Sequence, residues 1–264
     1  MQTHPPKLGD SDIASLERAT LDAVAPQAVE ALHGWLLPFD HSTIGRAKSA
    51  VPLSHTYAVS ENQAGIHASQ LQNIEARYAA HDLPAAFRVA DLPGLAALHT
   101  ALRQRHYRAQ QPTLVQIASA AHLRQTLAAS GITPAPVFNQ PVAEWAAVYL
   151  AEGFDPVDGA HRVQALSRST CVVYACMMQA GRPMAAGTAA FSQGWGSIHG
   201  MRTIPVERGR GLASSVLLGL ADAAIARGLD RVFLQVEEDN TSARGLYERI
   251  GFSTAWRYHY WRHG

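Results

Sequence analysis

Cysteine is scarce in this chain, charge is thin, and long apolar runs are missing. Only two of the 264 residues are cysteine, Cys171 and Cys176. Both fall in a run that reads as a strand, where positions i and i+5 face opposite sides, so no disulfide is expected and a reduced, cytoplasmic protein is. Charged residues make up 16% of the chain and nearly cancel: 22 Lys and Arg against 21 Asp and Glu leave a net charge of +1. That balance argues against a general nucleic-acid surface. No apolar run nears the roughly 20 residues that span a bilayer, and the opening Met-Gln-Thr-His-Pro-Pro-Lys lacks the apolar core of a signal peptide, so no membrane partner is expected. The 13 histidines are scattered without His-Glu-x-x-His or Cys-His grouping, which predicts no metal.

Glycine, by contrast, is concentrated where it matters. The run Thr203-Ile204-Pro205-Val206-Glu207-Arg208-Gly209-Arg210-Gly211-Leu212-Ala213-Ser214 joins an extended stretch, residues 197–204, to an apolar helical stretch, residues 212–226. A strand-to-helix turn of this kind leaves several backbone N–H groups unpaired at a positive helix end, and its glycines let an anion come close. Arg208 and Arg210 add formal charge. Beyond the helix, residues 231–236 read as a strand. Asn240-Thr-Ser-Ala-Arg-Gly-Leu246-Tyr247-Glu-Arg-Ile-Gly251-Phe252 then reads as a short helix closed by glycine.

At these two motifs the chain resembles the GCN5-related N-acetyltransferases. Arg208, Gly211 and Ala213 stand at that family's Arg/Gln-x-x-Gly-x-Gly/Ala positions, and Asn240, Leu246-Tyr247 and Gly251-Phe252 follow at its spacing. The match covers roughly residues 170–260. The resemblance implies an α/β fold with a mixed, mostly antiparallel twisted sheet flanked by helices. It also implies acetyl-CoA as co-substrate and a primary amine of a small molecule or peptide as acceptor, with a homodimer left open. Backbone N–H groups of Gly209, Arg210, Gly211, Leu212, Ala213 and Ser214 would hold the pyrophosphate, and Met201, Arg202 and Thr203 would pair with the pantetheine arm. The N–H of Met201 would face the thioester carbonyl, where charge develops as the amine attacks. Tyr247 would protonate the departing thiolate, a phenol of pKa about 10 serving a thiol of about 8.5.

The base is less legible. The family's two glutamate positions fall here on Ser197 and Gln235, neither of which can take a proton alone. His199 shares a strand face with Ser197 and has suitable chemistry; Glu237 and Glu238 follow Gln235, and ordered water could serve as well.

The N-terminal half carries the same order of elements. Residues 11–33 show helical periodicity (Ile13, Leu16, Leu21, Val24, Val29, Leu32) with a break or kink at Pro26. Residues 34–38 and 46–53 read as strands about a turn at 40–43, and Arg46 and Lys48 are candidates to face a cleft between halves. A helix at 65–80, a strand at 85–90, a helix at 92–105 and a strand at 113–117 follow. Placing Ala68 on Ala213, an offset of 145, lays Phe87-Arg88-Val89 on Val232-Phe233-Leu234 and His106-Tyr107 on Gly251-Phe252 without a gap. The chemistry does not repeat: Gln63 falls on Arg208, but Ile66 falls on Gly211, Leu95 on Asn240 and Leu102 on Tyr247. Two tandem halves are therefore expected, a degenerate copy at 1–125 and a catalytic copy at 126–264.

Residues 120–140 read as a connection, with Pro134 and Pro136 opposing helix. Residues 142–152 form a helix with Trp145 and Tyr149 on one side. Residues 169–179, 184–191 and 197–204 form a three-stranded meander, and 255–262 a final aromatic strand. Trp195, Trp256 and Trp261 are expected to be packed rather than to line a pocket. Beside the transferase, two readings stay open: a non-catalytic acyl-CoA sensor and a generic nucleotide-binding loop. The second lacks both the Lys-Ser/Thr of a P-loop and a full Gly-x-Gly-x-x-Gly.

Overall fold

Helix α1 (Asp10–Val24) begins where the Gly9 N–H donates to the Asp12 carboxylate at 3.2 Å, and it turns Ile13, Leu16 and Ala19 inward. It ends at Ala25, whose φ of 42° is left-handed, just before Pro26. The helix expected to reach residue 33 is therefore shorter, because proline can neither donate nor continue the turn. Ala28–Leu32 is instead strand β1, paired antiparallel with β2 (Trp35–Phe39). The strand expected at 46–53 is mostly a 3-10 turn, Gly45–Lys48, followed by the short β3 (Val51–Pro52). The computed structural model describes residues 8–56 and 63–264, without the side chains of 63–67. The opening residues 1–7 and the side chains of Gln63 and Ile66 lie outside the described residues.

Next come α2 (Gln63–Ala80), β4 (Phe87–Ala90), α3 (Ala96–Gln104) and a long β5 (Tyr107–Ser119). Part of the expected connection is in fact α4 (Ala120–Ala129), capped by Ser119 Oγ accepting from His122 N at 3.1 Å; Pro134 and Pro136 act only past its end. Strand β6 (Val137–Phe138) and α5 (Ala143–Tyr149) precede α6 (Pro156–Arg168), a helix absent from the sequence reading. Its signal was local: Asp155 accepts from the N–H groups of Val157 and Asp158 at 2.8 and 3.1 Å, with proline at the first helical position. The remainder is β7 (Val172–Gln179), β8 (Arg182–Ser192), β9 (Trp195–Thr203), α7 (Leu212–Ile225), β10 (Arg231–Glu237), α8 (Thr241–Arg249) and β11 (Ser253–His263).

These elements make a mixed α/β fold whose eight-stranded sheet runs β4-β11-β5-β10-β9-β8-β7-β6. Every pairing in it is antiparallel except β9 with β10. The three-stranded sheet β1-β2-β3 leads toward β4 through a parallel bridge, Ala50 to Phe87. At the offset of 145, α3 falls on α8 residue for residue, and β4 falls within β10. The last strand of each series crosses over: β5 lies against β10, and β11 lies against β4. Packing follows the crossing. Trp256, Tyr258, Tyr260 and Trp261 of β11 are buried among Leu16, Trp35, Tyr78 and Phe87, whereas Leu114 of β5 is buried with the α7 face. Trp195, Trp256 and Trp261 are all core residues. No helix among the described residues is long and apolar enough to cross a membrane. Cys171 and Cys176 are both free thiols, the first exposed and the second buried.

One ion pair sits inside this packing. Arg88 of β4 donates to Glu17 of α1 at 2.5 Å with both side chains almost fully buried, and its guanidinium lies 5.2 Å from the Tyr258 ring. Its Nε and Nη1 have no partner, so Glu17 is its one charge complement among the described residues. Glu17→Leu is expected to lower the unfolding free energy by about 3–5 kcal/mol, because it strands a buried cation. Replacing both residues, Glu17→Leu with Arg88→Met, should recover most of that loss in the same urea titration.

Candidate active site

The site starts from a strand that cannot stay in its sheet. Against β8, Arg202 pairs with Ala186 and His199 with Thr188, so Gly200 and Met201 both face Gly187 and form a bulge. Gly200 has φ of +62°, and a Cβ there would meet the Tyr149 hydroxyl at 2.6 Å, which donates to the Gly200 carbonyl. A Cβ on Gly187 would reach Met201 Sδ at 2.5 Å. The bulge therefore needs glycine on both strands. On its other edge β9 pairs with β10 only as far as Ile198 with Leu234. Beyond that pair the strands part, and the edge of residues 199–203 faces a cleft.

At the end of β9 the chain turns through Gly209 and Gly211, with φ of +78° and +80°, into α7. Among the described residues, the N–H groups of residues 209–213 find no backbone acceptor; Ser214 is the first to donate, to the Gly211 carbonyl at 2.9 Å. No atom stands within 4 Å of a Cβ built on Gly209. Thr203, Arg208, Gly209, Gly211, Leu212, Ala213 and Ser214 line a cleft of about 550 Å³. The two arginines differ. Arg210 is paired with Glu207, whereas exposed Arg208 donates to the Thr203 carbonyl at 3.4 Å and faces the Phe154 ring.

Helix α8 closes the other side. Asn240 caps it, accepting from the Ala243 N–H at 3.2 Å, which explains an asparagine there without a ligand. Tyr247 points into the cleft, 7% exposed, its ring against Phe252 at 5.7 Å. Burial pushes its phenol up to about 12, so it holds its proton across the physiological range and is a weaker acid than a free tyrosine. A second cavity of about 250 Å³ continues from the first, and Met201, Arg202, Asn240 and Tyr247 line both. That shared wall is where a thioester and an acceptor could meet.

The second cavity holds the remaining candidates. His199 is buried there, bonded to Ser197 Oγ through Nε2, while its Nδ1 has no partner. Burial first, then the charges of Arg46 and Arg88, hold it neutral, well below the usual histidine range. Gln235, which also lines it, donates to Thr20 Oγ1 and accepts from the Tyr258 hydroxyl, both at 2.9 Å. Glu237 lines the cavity and accepts from Gln111 Nε2 at 2.7 Å; Glu238 instead pairs with Arg257. Residues far away in sequence complete the walls: Thr43, Gly45 and Arg46 from the first half, Arg162 from α6, and Tyr260 and Arg262 from β11. Arg46 faces this cavity, while Lys48 does not line it. Nothing local marked Arg162 or Arg262.

In the first half the start of α3, the counterpart of α8, is packed against the chain. A Cβ on Gly94 would strike the His55 carbonyl oxygen at 2.5 Å, so the start of α3 packs directly on the chain after β3. Leu95 and Leu102, which stand where Asn240 and Tyr247 stand in the second series, are fully buried.

Comparison with known proteins agrees with this geometry. Residues 10–261 match the family model described as probable histone acetyltransferase Rv0428c C-terminal. An uncharacterized N-acetyltransferase, YobR of Bacillus subtilis, is 29% identical over 124 residues, 46% of this chain and 50% of that one. A mycothiol acetyltransferase of Salinispora tropica is 44% identical over 59 residues, 22% of this chain and 19% of that one. The chain thus spans half or less of these curated relatives. Among solved structures, a GCN5-related N-acetyltransferase from Kribbella flavida superposes with a TM-score of 0.66 over 95% of both chains at 14% identity. A tandem protein of the same fold from the clavulanic acid biosynthesis pathway gives 0.59 over 97% of both at 13%. At such identities the likeness is one of fold.

Two buried histidines give the fold a pH dependence. His55, edge-on to Trp256 at 4.8 Å, is held down to about 4 mainly by burial, and His199 is held low in the same way. Below about pH 6.5 the unfolded chain binds protons at both positions and the folded chain does not, so acid favours unfolding. Between pH 6.5 and about 4.5, stability should fall by up to about 1.4 kcal/mol per pH unit for each histidine. Denaturant titrations of His199→Asn across this range should show the slope reduced by one proton.

Proposed function

Because the chain belongs to the family described as probable histone acetyltransferase Rv0428c C-terminal, within the GCN5-related N-acetyltransferases, we propose that it transfers acetyl from acetyl-CoA to a primary amine. The observation that carries this reading is the junction at Met201, Arg202, Asn240 and Tyr247, where a cofactor-sized cleft meets a smaller cavity. In this reading the free N–H groups of residues 209–213 hold the pyrophosphate at the start of α7, with Arg208 beside it. The unpaired edge of residues 201–203 takes the pantetheine arm as an added strand would. The Met201 N–H, at the bulge, faces the thioester oxygen.

The amine nitrogen attacks the thioester carbon; a C–N bond forms and the C–S bond breaks, leaving its electron pair on sulfur. Tyr247 gives its proton to that sulfur. Its raised pKa keeps it in the acid form before the step, and the developing thiolate supplies the driving charge. The amine's proton leaves toward His199 Nδ1, the ring nitrogen not engaged with Ser197, in the tautomer where Nε2–H donates to Ser197 Oγ. A histidine held this weakly basic does not retain the proton.

We read residues 1–125 as a degenerate half and 126–264 as the catalytic half. The closed site at Gly94 and the contribution of Gly45 and Arg46 to the acceptor cavity favour a structural role for the first. Two thiols free of each other suit a cytoplasmic location.

Calorimetric titration with acetyl-CoA, followed by thiol release against a panel of amines, tests the reading. Tyr247→Phe should bind acetyl-CoA with unchanged affinity and lose about 100-fold or more in kcat. His199→Asn should lose about 10-fold, since solvent can replace it. Gly211→Val, forcing a β-branched residue to φ near +80°, should weaken acetyl-CoA binding itself. Binding without turnover on any amine would instead favour an acyl-CoA sensor, the alternative kept open by Ser197 and Gln235 standing at the family's carboxylate positions. No binding would sink both.

A further inference from the structure

The smaller cavity is short of negative charge. Four arginines line it, Arg46, Arg162, Arg202 and Arg262, against one carboxylate, Glu237. Asp158 behind the wall serves two of them, accepting from Arg162 at 2.7 Å and from Arg202. Counting both acids, four positive charges face two negative ones. The excess falls on particular residues. Arg262 lies over the Tyr260 ring at 4.6 Å and reaches only the neutral Gln111 oxygen, at 3.5 Å. Arg46 is half-buried and has no hydrogen bond, ion pair or ring contact among the described residues.

A guanidinium drawn from water without a partner is costly unless something else supplies the anion. Arg46 is nonetheless held in place. It sits on the 3-10 turn Gly45–Lys48, where the Gly45 carbonyl accepts from Ser49 Oγ at 2.8 Å and a Cβ on Gly45 would strike the Tyr260 ring at 2.9 Å. Its charge is felt inside: after burial, Arg46 is the next cause of the depressed His199 pKa. Nearby, Lys48 is lowered by burial and then by the charge of Arg262. Cations therefore crowd this side of the cavity without mutual relief.

We propose that the acceptor is a small primary amine bearing an anionic group, a carboxylate or a phosphate, that seats between Arg46 and Arg262 while its amino group reaches the junction at Tyr247. The inference rests on acetyl transfer at this site and narrows its substrate class. A forked guanidinium matches either anion. The same positive field opposes a polyamine or a lysine-rich peptide, and it disfavours the ammonium form of the bound amine, which must lose a proton before it can attack. The cavity volume of about 250 Å³ suits a molecule of amino-acid size.

The test compares thiol release at saturating acetyl-CoA from four probes: β-alanine, O-phosphoethanolamine, neutral β-alaninamide and cationic 1,3-diaminopropane. Rates are compared at equal concentrations of free-base amine. One or both anionic probes should exceed the other two in kcat/KM by about 10- to 100-fold, the range of a charge-assisted contact; the ratio of the two identifies carboxylate or phosphate. Arg46→Ala should erase the preference, leave the acetyl-CoA Kd unchanged and keep the melting temperature, since Arg46 holds nothing in the fold. Arg46→Lys should restore part of it. Equal or faster acetylation of the neutral or cationic probe, with acetyl-CoA bound normally, overturns the proposal and leaves the transferase standing. So does a preference that survives in both Arg46→Ala and Arg262→Ala. If acetyl-CoA binds but no probe turns over, titration of β-alanine and O-phosphoethanolamine into the acetyl-CoA complex decides: binding lost in Arg46→Ala supports the proposal, and no binding overturns it. Failure to bind acetyl-CoA removes the transferase reading and this one together.

Discussion

Two neighbouring parallel strands stay hydrogen-bonded only while their residues advance in step. In β9 that step is broken by one extra residue: Gly200 and Met201 occupy the space opposite Gly187, and the strand bends. Pairing with β10 stops at Ile198, and the sheet opens into the cleft lined by Met201, Thr203, Gly211 and Tyr247. The rest of the site depends on this opening. The turn at Gly209 and Gly211 is useful because an unpaired strand edge leads into it, and Tyr247 is useful because α8 roofs the gap. Glycine at 187 and 200 is the covalent requirement, since side chains there would collide with Met201 and Tyr149.

The crossing of the terminal strands couples the two halves of the chain. Because β5 pairs with β10 and β11 with β4, neither series can complete its sheet alone. The aromatic residues of β11 sit in the core built by α1, β2 and α2, and Arg262 at the end of that strand reaches the acceptor cavity. The buried pair Glu17–Arg88 lies beneath the same strand, with Arg88 against Tyr258. Stability of the first half and shape of the second half's cavity are thus set by the same packing. Leu95 and Leu102 are buried where Asn240 and Tyr247 stand at the offset of 145, and Gly45 and Arg46 of the same half line the smaller cavity.

Electrostatics divides the site into two zones. The large cleft presents backbone N–H groups and a helix end, with Arg210 neutralised by Glu207 and Arg208 exposed. The small cavity presents fixed guanidinium groups, two of them without a carboxylate. Burial, and then the charges of Arg46 and Arg88, keep His199 neutral, and burial keeps Tyr247 protonated. Ser197 and Gln235 are engaged within the fold, one tied to His199 and the other to Thr20 and Tyr258.

Local patterns made the second half legible in sequence. Strand, glycine turn and helix at 197–226 depend on residues within a few positions of each other, and so do the cap at Asn240 and the placement of Tyr247 on α8. The match of α3 with α8 at the offset of 145 was readable for the same reason, since it rests on local helix and strand periods. Short-range signals also explain the misses. Pro26 broke the helical pattern read over 11–33, leaving Ala28–Leu32 as a strand, and the Asp155-Pro156 start of α6 was local but unread. What only the tertiary structure decided was which residues share a cavity. Arg46, Arg162 and Arg262 lie far apart in the chain and have no common period or spacing, and they meet through a strand exchange. Pairing of strands distant in sequence is set by total burial across the whole sheet, which no window of sequence contains; so the glycine turn could be read from the chain, and the charge of the smaller cavity could not.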